Sequence, residues 1–382
     1  MAMQKKRLKK VKYFDYSLLF VIIFLLGFGL VMIYSTSSYS AQIKFNDAEY
    51  FFKKQLFAEA LGFAGMYIVY RIDYHVWVKH AVILYVISMI LIVLVKSPLG
   101  YSAYGASRWI QVGPLSIQPA EVAKISLIFA CTAAVNRMDK NAKKFKAIFI
   151  HIFLGAVLAG MIFLITNNMS SAIIVMGIAV VISFVVYPKY NIYLAAAGLV
   201  GVMVAGVRAW AKSAQLSADA NFRFERILAW VNPEKFADDT GFQTVQSLYA
   251  IGSGGLFGKG LGKSLQKLGF IPEAQNDMIF SVICEELGLF GALCILIVFG
   301  IMLWRFVYIA TNAPDLTGSL LVVGVFAHIA IQVVLNVAVV TNLIPNTGIS
   351  LPFISYGGTS VLFLMAEMGI VLNVSRHIKM EI

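Results

Sequence analysis

The stretch YSLLFVIIFLLGFGLVMIYSTSS, Tyr16 to Ser38, decides the fold class. It carries no charge and offers no polar face. A membrane-spanning helix needs about 20 mostly apolar residues, and a helix that is apolar all round is either buried in a large core or lies in lipid. A cleavable signal peptide has an apolar core of about 7–15 residues and then a small-residue cleavage site. This run is longer and no such site follows, so it reads as a first span.

Working outward, the same texture recurs along the chain. Sixty per cent of the 382 residues are apolar and only 13% are charged, which excludes an ordinary soluble domain. Span-like segments fall at 55–72, 80–96, 121–136, 147–166, 170–187, 191–209, 277–304, 317–341 and 352–374, in addition to 16–38. The expectation is an all-α polytopic membrane protein of about ten transmembrane helices. Its parts are a basic cytoplasmic N-terminus 1–15, spans one to seven over 16–209, an extracytoplasmic segment 210–276, spans eight to ten over 277–374, and a cytoplasmic C-terminus 375–382. No internal repeat or low-complexity tract interrupts this layout.

Orientation follows from the short loops. Lys5, Lys6, Arg7, Lys9, Lys10 and Lys12 precede span one, Arg137, Lys140, Lys143, Lys144 and Lys146 lie between spans four and five, and Arg376 and Lys379 follow span ten. All fall on one side, which the positive-inside rule makes the cytoplasm. The opposite short loops hold fewer cations, mainly Lys44, Lys53, Lys54, Lys96 and Arg108. The net charge of +12 is thereby explained by topology and anionic membrane lipid, with no call for nucleic acid. Cys131, Cys284 and Cys294 all fall inside spans and show neither disulfide nor zinc spacing; they read as apolar fillers.

The segment 210–276 is not a plain linker. RFERILAWVNPE spaces Phe224, Ile227, Leu228 and Val231 as a helix would, and FQTVQSLYAIGSGGLFGKGLGKSLQKLGF joins an amphipathic run to Gly252, Gly254, Gly255, Gly258, Gly260 and Gly262. Glycine at that density allows tight turns and close backbone approach. The segment reads as a cap of short interfacial helices over the outer mouth of the bundle.

Two polar intrusions meet that mouth. PEAQNDMIFSVICEELG, Pro272 to Gly288, sets Asp277 at the outer end of span eight and Glu285 and Glu286 about 12–13 Å deeper at 1.5 Å per residue. An acid at a span centre costs at least about 2.5 kcal/mol and normally faces a bundle interior or a wet cavity. GASRWIQVGPLSIQPAEVAK places Arg108 and Gln118 just before Glu121 and Lys124, which share one helix face at i and i+3.

These two runs, with QTVQSLYAIGSGGLFGKGLGKSLQK and the C-terminal NTGISLPFISYGGTSVLFLMAEMGIVLNVSR, resemble the signatures of the SEDS family (shape, elongation, division and sporulation), and its FtsW/SpoVE branch more than its RodA branch. The resemblance is co-linear from about residue 15 to 377. It implies a peptidoglycan glycosyltransferase that polymerises lipid II at the outer face of the cytoplasmic membrane, beside a class B penicillin-binding protein and other divisome proteins. It implies Asp277 as the catalytic residue, as general base or as ligand of a divalent cation, Mg2+ or Mn2+. Arg108, Lys124, Lys259, Lys263 and Lys267 become candidates for the substrate pyrophosphate, and Gln118, Glu121, Gln246, Glu273, Ser355, Gly357 and Gly358 join the substrate-binding set.

The chemistry agrees with one carboxylate. Inverting transfer from a pyrophosphate needs a base on the acceptor hydroxyl and cations on the leaving group, unlike the carboxyl pair of glycoside hydrolysis. Simpler readings stand beside it: Asp277 as a helix N-cap, Glu121 with Lys124 as an intrahelical pair, Glu285 and Glu286 as structural acids, Gly357 and Gly358 as packing residues, His328 and Trp230 likewise. TNNMSSA stands where many relatives have a QPDLGTS-like turn, so Asn168 replaces an acid. Glu367 interrupts span ten and is expected to snorkel or to pair with Arg376 or Arg305. Rival functions are a lipid II flippase and a non-catalytic divisome scaffold; polar groups gathered at the outer surface, rather than in paired broken helices at the midplane, disfavour the flippase.

Overall fold

The computed structural model describes residues 10–103, 106–112, 115–138, 145–187, 189–213, 222–238 and 241–381. Of the cations used above for orientation, Lys5, Lys6, Arg7, Lys9, Lys140, Lys143 and Lys144 lie outside the described residues, as does part of 210–276. The chain is helical. Its helices are α1 (Tyr16–Phe45), α2 (Tyr50–Arg71), α3 (Tyr74–Lys79), α4 (Ala81–Leu94), α5 (Pro119–Met138), α6 (Phe145–Thr166), α7 (Met169–Val186), α8 (Tyr190–Ser213), α9 (Phe222–Val231), α10 (Phe242–Gly254), α11 (Ile279–Thr311), α12 (Leu316–Val340) and α13 (Gly358–Arg376).

Seven of these, α1, α6, α7, α8, α11, α12 and α13, are long and apolar enough to cross a membrane. The other three predicted segments also coincide with helices, but α4 has only 14 residues, and α2 and α5 carry Lys53, Lys54, Glu59 and Arg71, and Glu121, Lys124 and Arg137. Local signals set the ends. Asp15 accepts from Leu18 N at 2.9 Å, Asn168 from Ser171 N at 3.1 Å and Asp315 from Gly318 N at 2.7 Å, each satisfying a donor that a helix start leaves free. Asn168 thus serves as the cap of α7. Only Asn167 and Asn168 separate α6 from α7, which makes the two helices antiparallel neighbours.

Two small antiparallel β elements were not foreseen. β1 (Lys10–Lys12) pairs with β5 (Lys379–Glu381) and so joins the two ends of the chain. β2 (Gly100–Ala103), β3 (Ala106–Val112) and β4 (Leu115–Ile117) form a three-stranded sheet in order β2-β3-β4, with Gly100 opposite Ile110 and Ile110 opposite Ile117. This sheet carries Arg108.

Inside the bundle, α2 packs on α13 so closely that a Cβ on Gly369 would lie 2.6 Å from Met66 O. α5 and α12 run antiparallel: Asn136 Nδ2 donates to Thr317 Oγ1 at 3.0 Å, and a Cβ on Gly324 would lie 2.5 Å from Ile128 Cγ2. Extending that register brings Lys124 level with His328. α8 stands apart. Its apolar side chains, Leu194, Leu199 and Val202 among them, are exposed on all sides, and it touches the short α9.

Two expected spans differ at their N-terminal ends. Span ten was expected from 352, but the chain from 341 to 357 is non-helical, buried at Ile349 and from Leu351 to Ser355, and the helix starts at Gly358. Non-helical backbone at this depth needs polar partners from protein. Gln332 donates to Ser350 O at 3.0 Å and Asn336 to Ile349 O at 2.6 Å. α1 lies against this segment at Gly29, where a Cβ would meet Phe353 O at 2.6 Å.

Span eight is broken at Gly288, which has φ 68° and ψ −173° inside α11. The chain leaving α10 runs alongside the break. Lys259 N donates to Glu285 O and Gly260 N to Glu286 O, both at 2.9 Å, while Leu289 N reaches Gly255 O at 2.9 Å and Phe290 N reaches Leu256 O at 3.0 Å. Residues 289–311 are about 34 Å of helix, enough to cross a bilayer alone. Glu285 and Glu286 therefore belong to a short helix that precedes the span, and do not lie at its centre as the unbroken reading required.

Candidate active site

Asp277 lies two residues before α11, in a loop pinned from several sides. It does not cap the helix: the cap position is Met278, with no side-chain bond. Its carboxylate Oδ1 accepts from Gln243 Nε2 at 3.4 Å, and its main-chain oxygen accepts from Asn336 Nδ2 at 2.9 Å. Gln243 Oε1 in turn accepts from Asn346 Nδ2 at 2.8 Å, and Asn346 O accepts from Arg226 Nη1 at 3.3 Å. One element each from α9, α10, α12 and the 341–357 segment thus converges on this acid.

The electrostatics are mixed. Burial pushes the Asp277 carboxyl up to about 6, and the nearby Glu273 adds to the rise; a bond from its own backbone N–H, the Arg226 charge and the Gln243 bond pull against it. The residue as a whole nonetheless keeps part of its surface exposed. Arg226 is lowered first by burial and then by the like charge of Arg108, while Asp277 raises it. Arg108 donates from Nη2 to Asn167 O at 3.3 Å, and its Nε is buried with no hydrogen-bond partner. Two guanidiniums and the Asp277 carboxyl, with Glu273 beside it, therefore gather where β3, α9 and the chain before α11 meet.

The other residues singled out from sequence fall in five places. Glu273 sits beside Asp277 in left-handed backbone at φ 50°, accepting from Gln275 at 3.0 Å and Asn276 at 2.9 Å and facing Lys44 at 3.6 Å. Glu121 and Lys124 form a buried 2.8 Å pair on α5, with Glu121 Oε2 unpartnered and Gln118 one turn before. Gln246 is half-buried on α10 and Lys263 is exposed. Ser355, Gly357 and Gly358 shape the entry to α13: Ser355 Oγ accepts from Leu351 N at 2.8 Å, and Gly357 N donates to Gln55 Oε1 at 3.2 Å.

Lys259 and Lys267 are placed differently from the expectation. Lys259 Nζ lies 2.7 Å from Glu285, which also accepts from Ser264, Leu265 N and Gln266 N. Lys267 Nζ lies 2.8 Å from Glu286 and 2.9 Å from Ser35 Oγ. Each cation answers one of the two inner acids, so both pairs fasten the glycine-rich turn to α11 and neither lysine is a free anion ligand. Likewise Glu367 pairs with His328 at 2.8 Å, and Arg305 with Asp15 at 2.7 Å, in place of the partners predicted. Sequence reasoning missed Arg226, Gln243, Asn336 and Asn346. The first two sit on amphipathic runs already marked as a cap, and an arginine on such a run facing a known acid was the available signal.

Comparison with known proteins agrees along nearly the whole chain. Stage V sporulation protein E of Bacillus subtilis strain 168 is 39% identical over 367 residues, covering 95% of this chain and 97% of that protein. A probable peptidoglycan glycosyltransferase FtsW of Trichlorobacter lovleyi is 37% identical over 369 residues, covering 96% and 94%. A chain from a solved structure described as "Structural coordination of polymerization and crosslinking by a peptidoglycan synthase complex" matches with TM-score 0.78 at 25% identity, covering 96% and 98%. With the profile of the FTSW_RODA_SPOVE family of cell cycle proteins matching residues 16–380, this multi-pass membrane protein belongs to that family.

Proposed function

We infer that the chain is a peptidoglycan glycosyltransferase that joins lipid II disaccharide-peptide units into β-1,4 glycan and releases undecaprenyl pyrophosphate. The observation that carries this reading is Asp277, a carboxyl drawn up to about 6 and facing Arg226, which in turn lies near Arg108. A base is most useful when its pKa lies near working pH. Asp277 takes the proton of the acceptor 4-hydroxyl as that oxygen attacks the anomeric carbon of the donor. The bond from that carbon to the pyrophosphate oxygen breaks with its electron pair, and the α linkage becomes β. Arg108 and Arg226 are assigned to the pyrophosphate, which needs positive charge more than a proton. Lys124, which the α5–α12 register sets about 12 Å below Asn336, is assigned to hold Glu121 in the wall of the site.

A divalent cation, Mg2+ or Mn2+, is compatible with this donor set in one form. Among the described residues no three His, Cys, Asp or Glu side chains are grouped to hold a metal ion. Mg2+ is commonly held by one or two carboxylates together with substrate phosphates, and Asp277 fits as such a shared ligand. Bound there, the ion would add charge neutralisation at the leaving group.

The proposed topology has about ten spans, both termini cytoplasmic, 210–276 and the site extracytoplasmic, and the domain limits given above. Supporting it, Glu121 and Lys124 on α5 turn inward and are buried, which is how a helix with charges crosses lipid. The proposed partners are lipid II, a class B penicillin-binding protein, other divisome proteins and membrane lipid. The test is purified protein with lipid II in detergent, where no second compartment exists for a flippase to serve. Wild type should give glycan ladders, and Asp277→Asn should remain folded yet lose about 10²–10⁴-fold in rate. Near-normal ladders from Asp277→Asn would remove the assignment.

A further inference from the structure

Asn336 is fully buried on α12, and its amide nitrogen donates twice, to Asp277 O at 2.9 Å and to Ile349 O at 2.6 Å. An amide NH2 has two hydrogens, so both are used. Turning the amide over would set its oxygen against two carbonyl oxygens, and the partners therefore fix its orientation. The two carbonyls come from separate parts of the chain. One belongs to Asp277 itself. The other follows Gly348, which sits in left-handed backbone at φ 70° and where a Cβ would stand 3.6 Å from Asp277 Oδ2. The bare glycine is thus a wall of the carboxylate's pocket, and Asn336 ties that wall and the Asp277 main chain to one helical turn.

We propose that Asn336 is a positioning residue for the transferase reaction: its single amide sets the separation of Asp277 from Gly348 and so aims the carboxylate at the acceptor hydroxyl. This rests on the reading of Asp277 as the base. A misplacement of about 1 Å can cost about 10²-fold in rate, so a group that fixes main chain on both sides of a reacting carboxylate acts on turnover more than on binding. Gln332, one turn deeper on α12, supplies a matched control. It holds the same segment through Ser350 O at 3.0 Å, and none of its bonds reaches Asp277.

The experiment uses the full chain with its transpeptidase partner and lipid II in detergent. It reads kcat, KM and thermal unfolding for wild type, Asp277→Asn, Asn336→Leu, Asn336→Gln and Gln332→Leu. Asn336→Leu is expected to lower kcat by about 10–100-fold with KM nearly unchanged. Asn336→Gln, which keeps the double donor, should recover part of the loss, and Gln332→Leu should lose much less. Wild-type kcat in Asn336→Leu overturns the proposal, as does an equal loss in Gln332→Leu, or a loss that only follows the folded fraction. Should Asn336→Leu fail to fold, Asn336→Ser carries the same test, with a kcat-only loss supporting and wild-type kcat overturning it. Asp277→Asn separates the two ideas: if it is active the base assignment falls, whereas an inert Asp277→Asn beside an active Asn336→Leu removes the positioning role alone.

Discussion

At Asp277, burial and Glu273 favour the neutral acid, while Arg226 and Gln243 favour the anion. Burial wins, and a base is active only when ionised. The rate should therefore rise with pH through about 6, and Arg226→Met should move that limb upward, because it removes a charge that stabilises the anion; kcat/KM profiles at constant ionic strength check both. The buried pair on α5 yields a second expectation. Lys124 is bonded to Glu121, whose other oxygen has no partner, so Lys124→Met alone strands a carboxylate and should destabilise by about 3–5 kcal/mol, whereas Glu121→Leu with Lys124→Met should restore stability. Thermal unfolding measures this. Glycan ladders from the stable double variant then decide whether the pair serves the site. Glu121 and Lys124 stood out because charge in an apolar run needs a reason, whereas Asp277 was singled out by the family resemblance. Arg226, Gln243 and Asn346 were not, because their meaning lies in partners that the fold brings from 34 to 120 residues away.

α11 shows why an element can be recognised and still misread. Its apolar run continues past Gly288, and a single glycine in a helical pattern does not announce a break. The cause lies elsewhere in the chain, at Gly258. There φ is 77° and a Cβ would fall 2.2 Å from Glu286 O, while a Cβ on Gly288 would fall 2.4 Å from Gly258 N. Two backbones touch, and only glycine permits it. Gly258→Ala should therefore cost at least about 2 kcal/mol through strain and contact and loosen both Lys259–Glu285 and Lys267–Glu286. Gly252→Ala, helical with open space around it, should be tolerated or slightly stabilising. Thermal scans of the two variants side by side make the comparison. The glycine-rich run was correctly read as permitting close backbone approach. What approaches is α11 rather than a ligand, and spacing alone cannot distinguish the two.

For the whole molecule, hydropathy located helices because lipid imposes length and apolarity on each span separately. It said nothing of the β2–β4 sheet, whose short strands lie between spans, or of which helices pair. α8, whose apolar side chains are exposed, offers a surface that a partner could meet. Titrating the purified chain with its class B transpeptidase should raise lipid II polymerisation to a plateau; an unchanged rate at saturation would count against that coupling. The pairing of α2 with α13 bears on how the molecule is made. α2 carries Gln55 and Glu59, both buried in the finished protein, and the helix it packs against begins almost 300 residues later. At about 5–20 residues per second of synthesis, α2 waits about 15–60 s for α13. Through that interval a carboxyl-bearing helix must be sheltered by α1 or by the insertion machinery. α13, made much later, closes the bundle around α2, so the buried face of α2 finds its packing partner only once α13 is in place.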